Sequence, residues 1–454
     1  MVCMECLGRL QFDLWQWLAN TQAHLHQSSP ICRWSCMFRN KFSIPILQHQ
    51  TMSRNLEISV SLEKAKAVTT YGRHRKPGVA ARSRVSIGSQ SRMRLPHLIL
   101  SLWLVSACQE GIRTFDQCGQ RCTCVGGRLV NCVRIRKEFT TMTIAERSLY
   151  VSVIKTASTD PRFKPAYDTL LNEHRRLFQT GIHEVTYFLP WHRYFILLYE
   201  NLLRRVDCRF TVSYWDWSKM PGSAFNTTTA RSIWSSEDSG LGGDGEGNYS
   251  CVQTGPFRQD VWSIVPLPQG SPTGPGPRCL ARMFFGTPPD AVAVRMVLDV
   301  RPRNFSDFEL MLRINLHDLV HCLIDGTMCT IDSAAAPEFF LHHGFIDKIW
   351  DDWQKKSESH KNVFFSNLSQ RMPGTPVIPS VVLDLSAQPG GIRVEYRPVL
   401  KITSFSGQGI GPPRKRYTPL MDKVFKLFHV NATEIKRAKE MEKMLEPKPR
   451  SVKI

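Results

Sequence analysis

The residue pattern predicts a mainly α-helical fold, opened by a small disulfide-rich module and followed by a short β segment. Three observations carry this. Five stretches of helical period lie between residues 143 and 355, five cysteines crowd Cys108 to Cys132, and one stretch, "VVLDLSAQPGGIRVEYRPVL", alternates and is rich in β-branched residues.

The chain of 454 residues is 42% hydrophobic and 22% charged, an ordinary globular composition able to bury a sizeable core. Its formal charge of +20 points first to an anionic partner. Residues 1–92 hold thirteen Lys/Arg against four Asp/Glu, so nearly half of that surplus lies in a leader without sustained apolar period. No nucleic-acid motif and no basic stripe interleaved with aromatics occurs, which argues against a nucleic-acid partner. Residues 1–92 read as a gene-model extension or a disordered leader. "MRLPHLILSLWLVSA", Met93 to Ala107, has a basic start, an apolar run too short to span a bilayer and small residues before Cys108. It reads as a secretory signal peptide, with translation starting at Met93 and no membrane attachment after cleavage. The alternative is a true leader followed by an internal anchor. Ten cysteines follow Ala107, and five glycosylation sequons lie downstream, at Asn226, Asn248, Asn304, Asn367 and Asn431, with none upstream of Met93. Both observations fit a secreted, extracellular glycoprotein.

Residues 108–138, beginning "CQEGIRTFDQCGQRCTCVGGRLVNC", are too short to bury an adequate core and need disulfides, with zinc the competing use of clustered cysteines. Residues 139–375 form the main domain, with helices expected at 143–155, 164–178, 190–206, 307–322 and 338–355. "SEDSGLGGDGEGNYS" is Gly- and Asp-rich and reads as a loop. Residues 376–454 hold two expected short strands around Pro389-Gly390-Gly391, then a charged helix and a frayed basic tail.

The histidines carry the functional signal. His174, His183 and His192 are nine apart twice, and nine residues of α-helix turn through about 900°, placing successive rings on opposite faces. One helix cannot aim all three at a point, but Gly181 can end the first helix and Pro190 suits the first turn of the next. His192 then lies on the stripe of Phe195, Ile196, Tyr199, Leu202 and Leu203. A helix, a connector and a second helix can thus bring three imidazoles together. In "FELMLRINLHDLVH", His317 and His321 are four apart, one above the other on a helix face. The third member of this trio is His342 or His343, on the apolar pattern of "PEFFLHHGFIDKIWDDW". A single histidine on an apolar face is usually a hydrogen-bonded core residue; two trios on core-facing elements are not. All-imidazole trios suit copper as well as zinc, and two adjacent trios suggest a metal pair. Two Cu(I) ions together supply two electrons to O2, which zinc cannot, so dioxygen chemistry is the natural use.

"HEVTYFLPWHRYFILLYENLLRRV", "SYWDWS", and "LHDLVHCLIDGTM" followed by "PEFFLHHGFIDKIWDDWQ" resemble the two copper signatures of the tyrosinase family of type 3 copper proteins, which includes catechol oxidases and molluscan haemocyanin units. The resemblance covers about residues 140–375. It implies an antiparallel four-helix bundle around two coppers, Cu A held by His174, His183 and His192, Cu B by His317, His321 and His343, the second of the HH pair. It implies that Glu309, eight positions before His317, positions a water and assists phenol deprotonation; a helix-surface carboxylate is the alternative. Asp318 stands where relatives often carry Asn, which bears on monophenol hydroxylation against diphenol oxidation. Ala336-Pro337 replaces the usual Asp-Pro, removing a local anchor, and Gly181 stands where some relatives have a cysteine cross-linked to histidine, so no such thioether is expected. Arg193 and Asp347, each near a ligand, can form a buried ion pair bracing the domain.

The function so implied is a secreted monophenol monooxygenase or diphenol oxidase, using O2 to hydroxylate monophenols, oxidise o-diphenols to o-quinones, or both. Its substrates are phenolic small molecules or tyrosyl side chains of matrix proteins, for pigment or cross-linking. The alternatives are a haemocyanin-like oxygen carrier with a blocked entrance and a structural extracellular matrix protein. "PPRKRY" at 412–417 is either a processing point or solvated surface.

Overall fold

The computed structural model describes residues 108–267, 278–365, 368–397 and 417–446. The leader, the signal-like run to Ala107, the sequon at Asn367, the final tail from 447, and all of "PPRKRY" but its tyrosine lie outside the described residues. Within them the order is β1 (Arg113–Phe115), β2 (Arg121–Val125), β3 (Arg128–Arg136), α1 (Ile144–Thr159), α2 (Lys164–Leu177), α3 (Phe188–Leu203), β4 (Gly245–Glu246) and β5 (Cys251–Val252). Then come α4 (Ala291–Leu298), α5 (Phe305–Leu310), α6 (Leu319–Ile324), α7 (Glu338–Gln354), β6 (Arg393–Tyr396), α8 (Asp422–Leu427) and α9 (Ala432–Leu445). Helices dominate, and all five expected ones form.

The cysteine-rich module is an antiparallel hairpin sheet, β1-β2-β3, turned between β2 and β3 by Gly126 and Gly127 at φ +59° and +71°, the left-handed pair that a two-residue hairpin requires. Cys108–Cys124 and Cys122–Cys132 close it on itself, and Cys118–Cys208 ties it to the chain beyond α3. Cys251–Cys279 and Cys322–Cys329 complete the pairing of all ten cysteines from Cys108 onward, so disulfides rather than zinc hold the cluster.

The expected hairpin around Pro389-Gly390-Gly391 is corrected. Only β6 forms, and it pairs in parallel with β3 as the fourth strand of the module's sheet. Its presumed partner winds instead into short 3-10 turns at Pro379–Val382 and Leu385–Ala387, where Asp384 accepts from the Ser386 N–H. The free edge of β3 outcompetes a local hairpin whose first strand carries a turn-forming Asp-Leu-Ser. The Gly-rich stretch is a loop apart from the two residues of β4, and its Ser239–Gly243 part is buried: a Cβ at Gly242 would fall 2.2 Å from the Thr254 carbonyl oxygen. This close approach lets the Leu241, Gly242 and Gly243 carbonyls accept from the buried Arg282.

α1 begins with a capping box, Thr143 and Glu146 each bonding the other's backbone N–H. α2 ends at Leu177, and the chain turns through Gly181 at φ +97° before α3. α3 is buried on nearly every face, as an apolar helix at the centre must be. Residues 305–324 run as one helix, but Met311–Asp318 adopt the wider i→i+5 pattern between α5 and α6. α9 is more than a surface helix: Ala438, Met441 and Leu445 are buried, and Asn315 Nδ2 donates to the Ala438 carbonyl at 3.0 Å.

A buried ionic network joins module and helices. Glu200 of α3 accepts from Arg134 Nη1 at 2.9 Å and Arg136 Nε at 3.2 Å, both from β3. Asp347 of α7 accepts from Arg193 Nε at 2.6 Å, from Arg136 at 3.3 Å and from the Tyr396 hydroxyl at 2.6 Å. The expected Arg193–Asp347 pair is therefore present, and Arg193 also lies 3.7 Å over the Trp350 ring.

Candidate metal centre

Four helical stretches and one connector deliver the histidines. His174 comes from the last turns of α2, His183 from the turn after Gly181, and His192 from the first turns of α3. Ring centroids in this trio are 5.1 to 5.6 Å apart, and one nitrogen from each ring falls within a 4.8 Å cluster. His317 lies in the last turn of the π-helical stretch, His321 in α6 and His343 in α7, with centroids 4.4 to 5.2 Å apart. The trios face each other, His192 stacking on His343 at 4.6 Å.

Hydrogen bonds to one side of the rings leave the other side for a metal. His183 Nδ1 faces the Phe178 carbonyl at 3.1 Å, His192 Nδ1 that of Phe188 at 2.9 Å, and His321 Nδ1 that of Met328 at 2.8 Å. A carbonyl only accepts, so each of these Nδ1 atoms carries the proton and each Nε2 presents its lone pair. His317 Nδ1 faces Asp318 Oδ1 at 2.7 Å. The Nε2 atoms of His174 and His192 are buried with no hydrogen-bond partner, and His343 Nε2 stands 3.1 Å from His317 Nε2 and 3.0 Å from His321 Nε2. Orphaned, converging imidazole nitrogens in an apolar setting fit a pair of imidazole-bound metal ions and little else.

His342 also brings a ring nitrogen within 4.8 Å of His317 and His321. Its bonds are already used: the Trp217 indole N–H donates to Nδ1 at 3.2 Å, and Nε2 lies 3.3 Å from the His317 carbonyl. It is the satisfied core histidine, and His343, whose Nδ1 has no partner, is the open one.

Burial pushes the pKa of all six rings down, His192 to about 3 and His321 to about 4, helped by neighbouring imidazoles at every ring but His321. Neutral rings are the metal-binding form. In the copper-free protein the unfolded chain, with histidines near 6.5, takes up protons first as pH falls, so stability is lost from about 6.5 down through the folded values. Asp318 and Glu309, both raised by burial, act in the opposite sense but are outnumbered. Copper-free protein is expected to be less stable at pH 4.5 than at 7.5, by about 2–3 kcal/mol from His321 alone. Thermal unfolding at the two values checks this, and an unchanged midpoint would refute it.

Glu309 is fully buried and bonded to Arg313 at 2.6 Å, and Arg313 also reaches Glu434 of α9. Among the described residues no hydrogen bond or ion pair joins Glu309 to any of the six imidazoles. Eight residues of ordinary α-helix turn through about 800° and would not set it directly above His317, and the intervening Met311–Asp318 turns are π-helical. Asp318 is buried at the site, bonded through Oδ1 to His317, with Oδ2 lacking a partner. The anchor thought missing at Ala336-Pro337 is supplied one residue later, where Glu338 forms a bidentate pair with the buried Arg282, both contacts 2.8 Å.

One contributor carries no sequence signal. Phe428, just past α8, lays its ring 5.3 Å from His183, 5.6 Å from His317 and 5.8 Å from His321, and is itself buried. Nothing in "KLFHV" separates it from any core phenylalanine.

The family described as "Common central domain of tyrosinase" matches residues 164–356. A tyrosinase of Streptomyces lincolnensis is 31% identical over 247 residues, 49% of this chain and 83% of that one. Grixazone synthase of Streptomyces griseus is 29% identical over 273 residues, 49% of this chain and 85% of that one. Among solved structures, a polyphenol oxidase of Thermothelomyces thermophila aligns with TM-score 0.43 and 19% identity over 61% of this chain and 90% of that one. An octopus haemocyanin unit aligns at 0.36 and 17% over 58% and 68%. Two facing all-imidazole trios in a helical frame define a dinuclear metal protein. The chain belongs to the tyrosinase family, whose members use two copper ions with O2, and is a copper oxidase of that family.

Proposed function

We propose that this protein is a secreted dinuclear copper oxidase that hydroxylates monophenols, oxidises o-diphenols to o-quinones, or both. His174, His183 and His192 hold one copper and His317, His321 and His343 the other, within an antiparallel bundle made by α2, α3, the 305–324 helix and α7. The observation that carries the reading is the set of six buried rings, their inner nitrogens unpartnered or facing one another, with the Nδ1 of His183, His192 and His321 held by carbonyls and that of His317 by Asp318. The bound coppers supply O2 activation and accept the electrons of the phenol. The chain's own part is to hold the rings neutral and oriented, exclude water from the pair and, through Asp318 Oδ1, accept a hydrogen bond from His317 Nδ1–H, which fixes that ring and raises its basicity. Glu309, held in a buried pair with Arg313, takes a structural part in this reading. The substrates are phenolic small molecules or matrix tyrosyl side chains, and the secretory run with its sequons gives the extracellular setting, in which Asn248, Asn304 and Asn431 are exposed.

The test is oxygen uptake by copper-loaded protein with a monophenol, with an o-diphenol and with neither. Turnover of either phenol supports the oxidase, and activity on the diphenol alone assigns catechol oxidation. An amino-terminal peptide beginning at Cys108 supports secretion, and any peptide from residues 1–92 in the mature protein counts against it.

Phe428 favours a second reading, an oxygen carrier with a covered site. The two separate cleanly. For an oxidase, Phe428→Ala opens the approach and raises kcat/KM for the phenol roughly five- to tenfold, about 1–1.4 kcal/mol of barrier. Reversible O2 binding without turnover in both proteins would instead establish the carrier.

A further inference from the structure

Immediately after His321, α6 ends in a turn whose geometry is costly. Asp325 takes φ 57° and ψ −159°, a region that residues with a Cβ rarely enter, and Gly326 follows at φ +55°. A Cβ at Gly326 would fall 2.3 Å from the Ala281 carbonyl oxygen, so the loop is pressed against the 278–285 segment. Thr327 N–H donates to that same carbonyl at 2.9 Å, and the Thr327 hydroxyl accepts from Ala281 N–H at 3.0 Å. The result of this tight path is to return the Met328 carbonyl to 2.8 Å from His321 Nδ1, seven residues on.

Two latches hold the path. Cys322, fully buried beside His321, is bonded to Cys329 beside Met328, so the disulfide joins the residue after the ligand to the residue after the carbonyl that orients it. Lys423 of α8 reaches Asp325 Oδ2 at 2.7 Å and lies 4.2 Å over the Phe285 ring, five residues before Phe428. The other carbonyls that orient the six candidate ligand rings belong to Phe178 and Phe188, four or five residues before their histidines on short local paths. Only His321, among the described histidines, takes its orienting carbonyl from a strained loop closed by a covalent bond.

We infer that the Asp325–Cys329 loop is a positioning device for His321, in which the Cys322–Cys329 disulfide and the Lys423–Asp325 pair hold the Met328 carbonyl where it sets the ring's tautomer and aim. A backbone in this strained path relaxes when its constraints are cut, and the carbonyl moves off Nδ1. The ring then rotates or protonates at the wrong nitrogen, and one metal of the pair is held less well. Removing such an outer partner typically costs about 10- to 100-fold in metal affinity. The inference rests on His321 being a copper ligand.

The experiment compares copper retained by the full-length holoprotein after dialysis against graded concentrations of a copper chelator. The proteins are wild type, the double variant Cys322→Ser/Cys329→Ser, Lys423→Met, and the control Cys108→Ser/Cys124→Ser. The control disulfide closes a longer loop, 16 residues against 7, and so costs more global stability, yet lies in the cysteine-rich module, away from the 278–285 segment and the six rings. Wild type and control are expected to keep two coppers, while the Cys322/Cys329 variant falls to one at a chelator level roughly 10- to 100-fold lower. Lys423→Met, which keeps its apolar contact with Phe285, shifts in the same direction by less and serves if the double serine variant does not fold. Wild-type retention in the folded loop variants, or parallel losses in loop variant and control, overturns the positioning role. Wild type that never binds a second copper refutes the ligand assignment instead.

Discussion

Alanine at His343 is expected to leave one copper per chain and to cut phenol oxidation by roughly 10³-fold or more, the scale seen when one member of an interdependent set is removed. Alanine at His342 is expected to keep both coppers. The two residues are adjacent, equally buried and equally close to the second trio, but their nitrogens differ in what they already do. The Trp217 indole is a donor only, so His342 Nδ1 must be its acceptor and Nε2 must carry the proton directed at the His317 carbonyl. No lone pair is left for a metal. His343 keeps Nε2 aimed between His317 and His321, with no protein partner at Nδ1. His342→Ala should still be costly, because it strands the buried Trp217 N–H and opens a cavity, about 2–4 kcal/mol together. Copper analysis with thermal unfolding separates the cases. Two coppers in His343→Ala, or one in His342→Ala, would transfer the ligand to His342.

The same pair shows what the sequence discloses and what it withholds. The helices and the grouping of histidines were legible because period and spacing are local: nine-residue steps broken by Gly181 and Pro190, and a four-residue step on one helix. The choice between His342 and His343 was not, since neighbours on an apolar helix are distinguished only by what crosses from another element, here Trp217. Glu309 illustrates a second limit. Its count of eight from His317 is plain in the sequence, yet the π-helical turns between the two have no marker there, and neither does its partner Arg313's second bond to Glu434, 121 residues away. Phe428, the β3–β6 pairing and the Met328 carbonyl are likewise long-range or backbone features, invisible to residue patterning. The Arg193–Asp347 pair was legible because both charges sit on faces that the histidines had already turned inward.

Glu200→Ala is expected to be the most destabilising single change outside the metal centre. The carboxylate is fully buried in α3, two turns beyond His192, and accepts from Arg134, Arg136 and the Val212 N–H, the last at 2.9 Å. Burial alone would raise its pKa, but the two guanidiniums hold it down at about 2. Its removal strands two buried cations and one buried amide, and breaking a buried pair costs about 3–5 kcal/mol through the charge left behind. Arg136 keeps Asp347 and the Tyr396 hydroxyl, which softens its share of the loss. Arg134 keeps the Asn201 side chain at 2.7 Å. At about 2–4 °C per kcal/mol for a domain of this size, the unfolding midpoint should drop by on the order of 10 °C. Because the two arginines come from β3, the cysteine-rich module should loosen first, with Cys118–Cys208 still tethering it. Hydrogen exchange would then report lost protection in β2, β3 and β6 before α3 and α7. A midpoint lowered by less than about 2 °C, or protection lost first in the histidine helices, would show that the module's disulfides and not this carboxylate fasten it to the metal-binding domain.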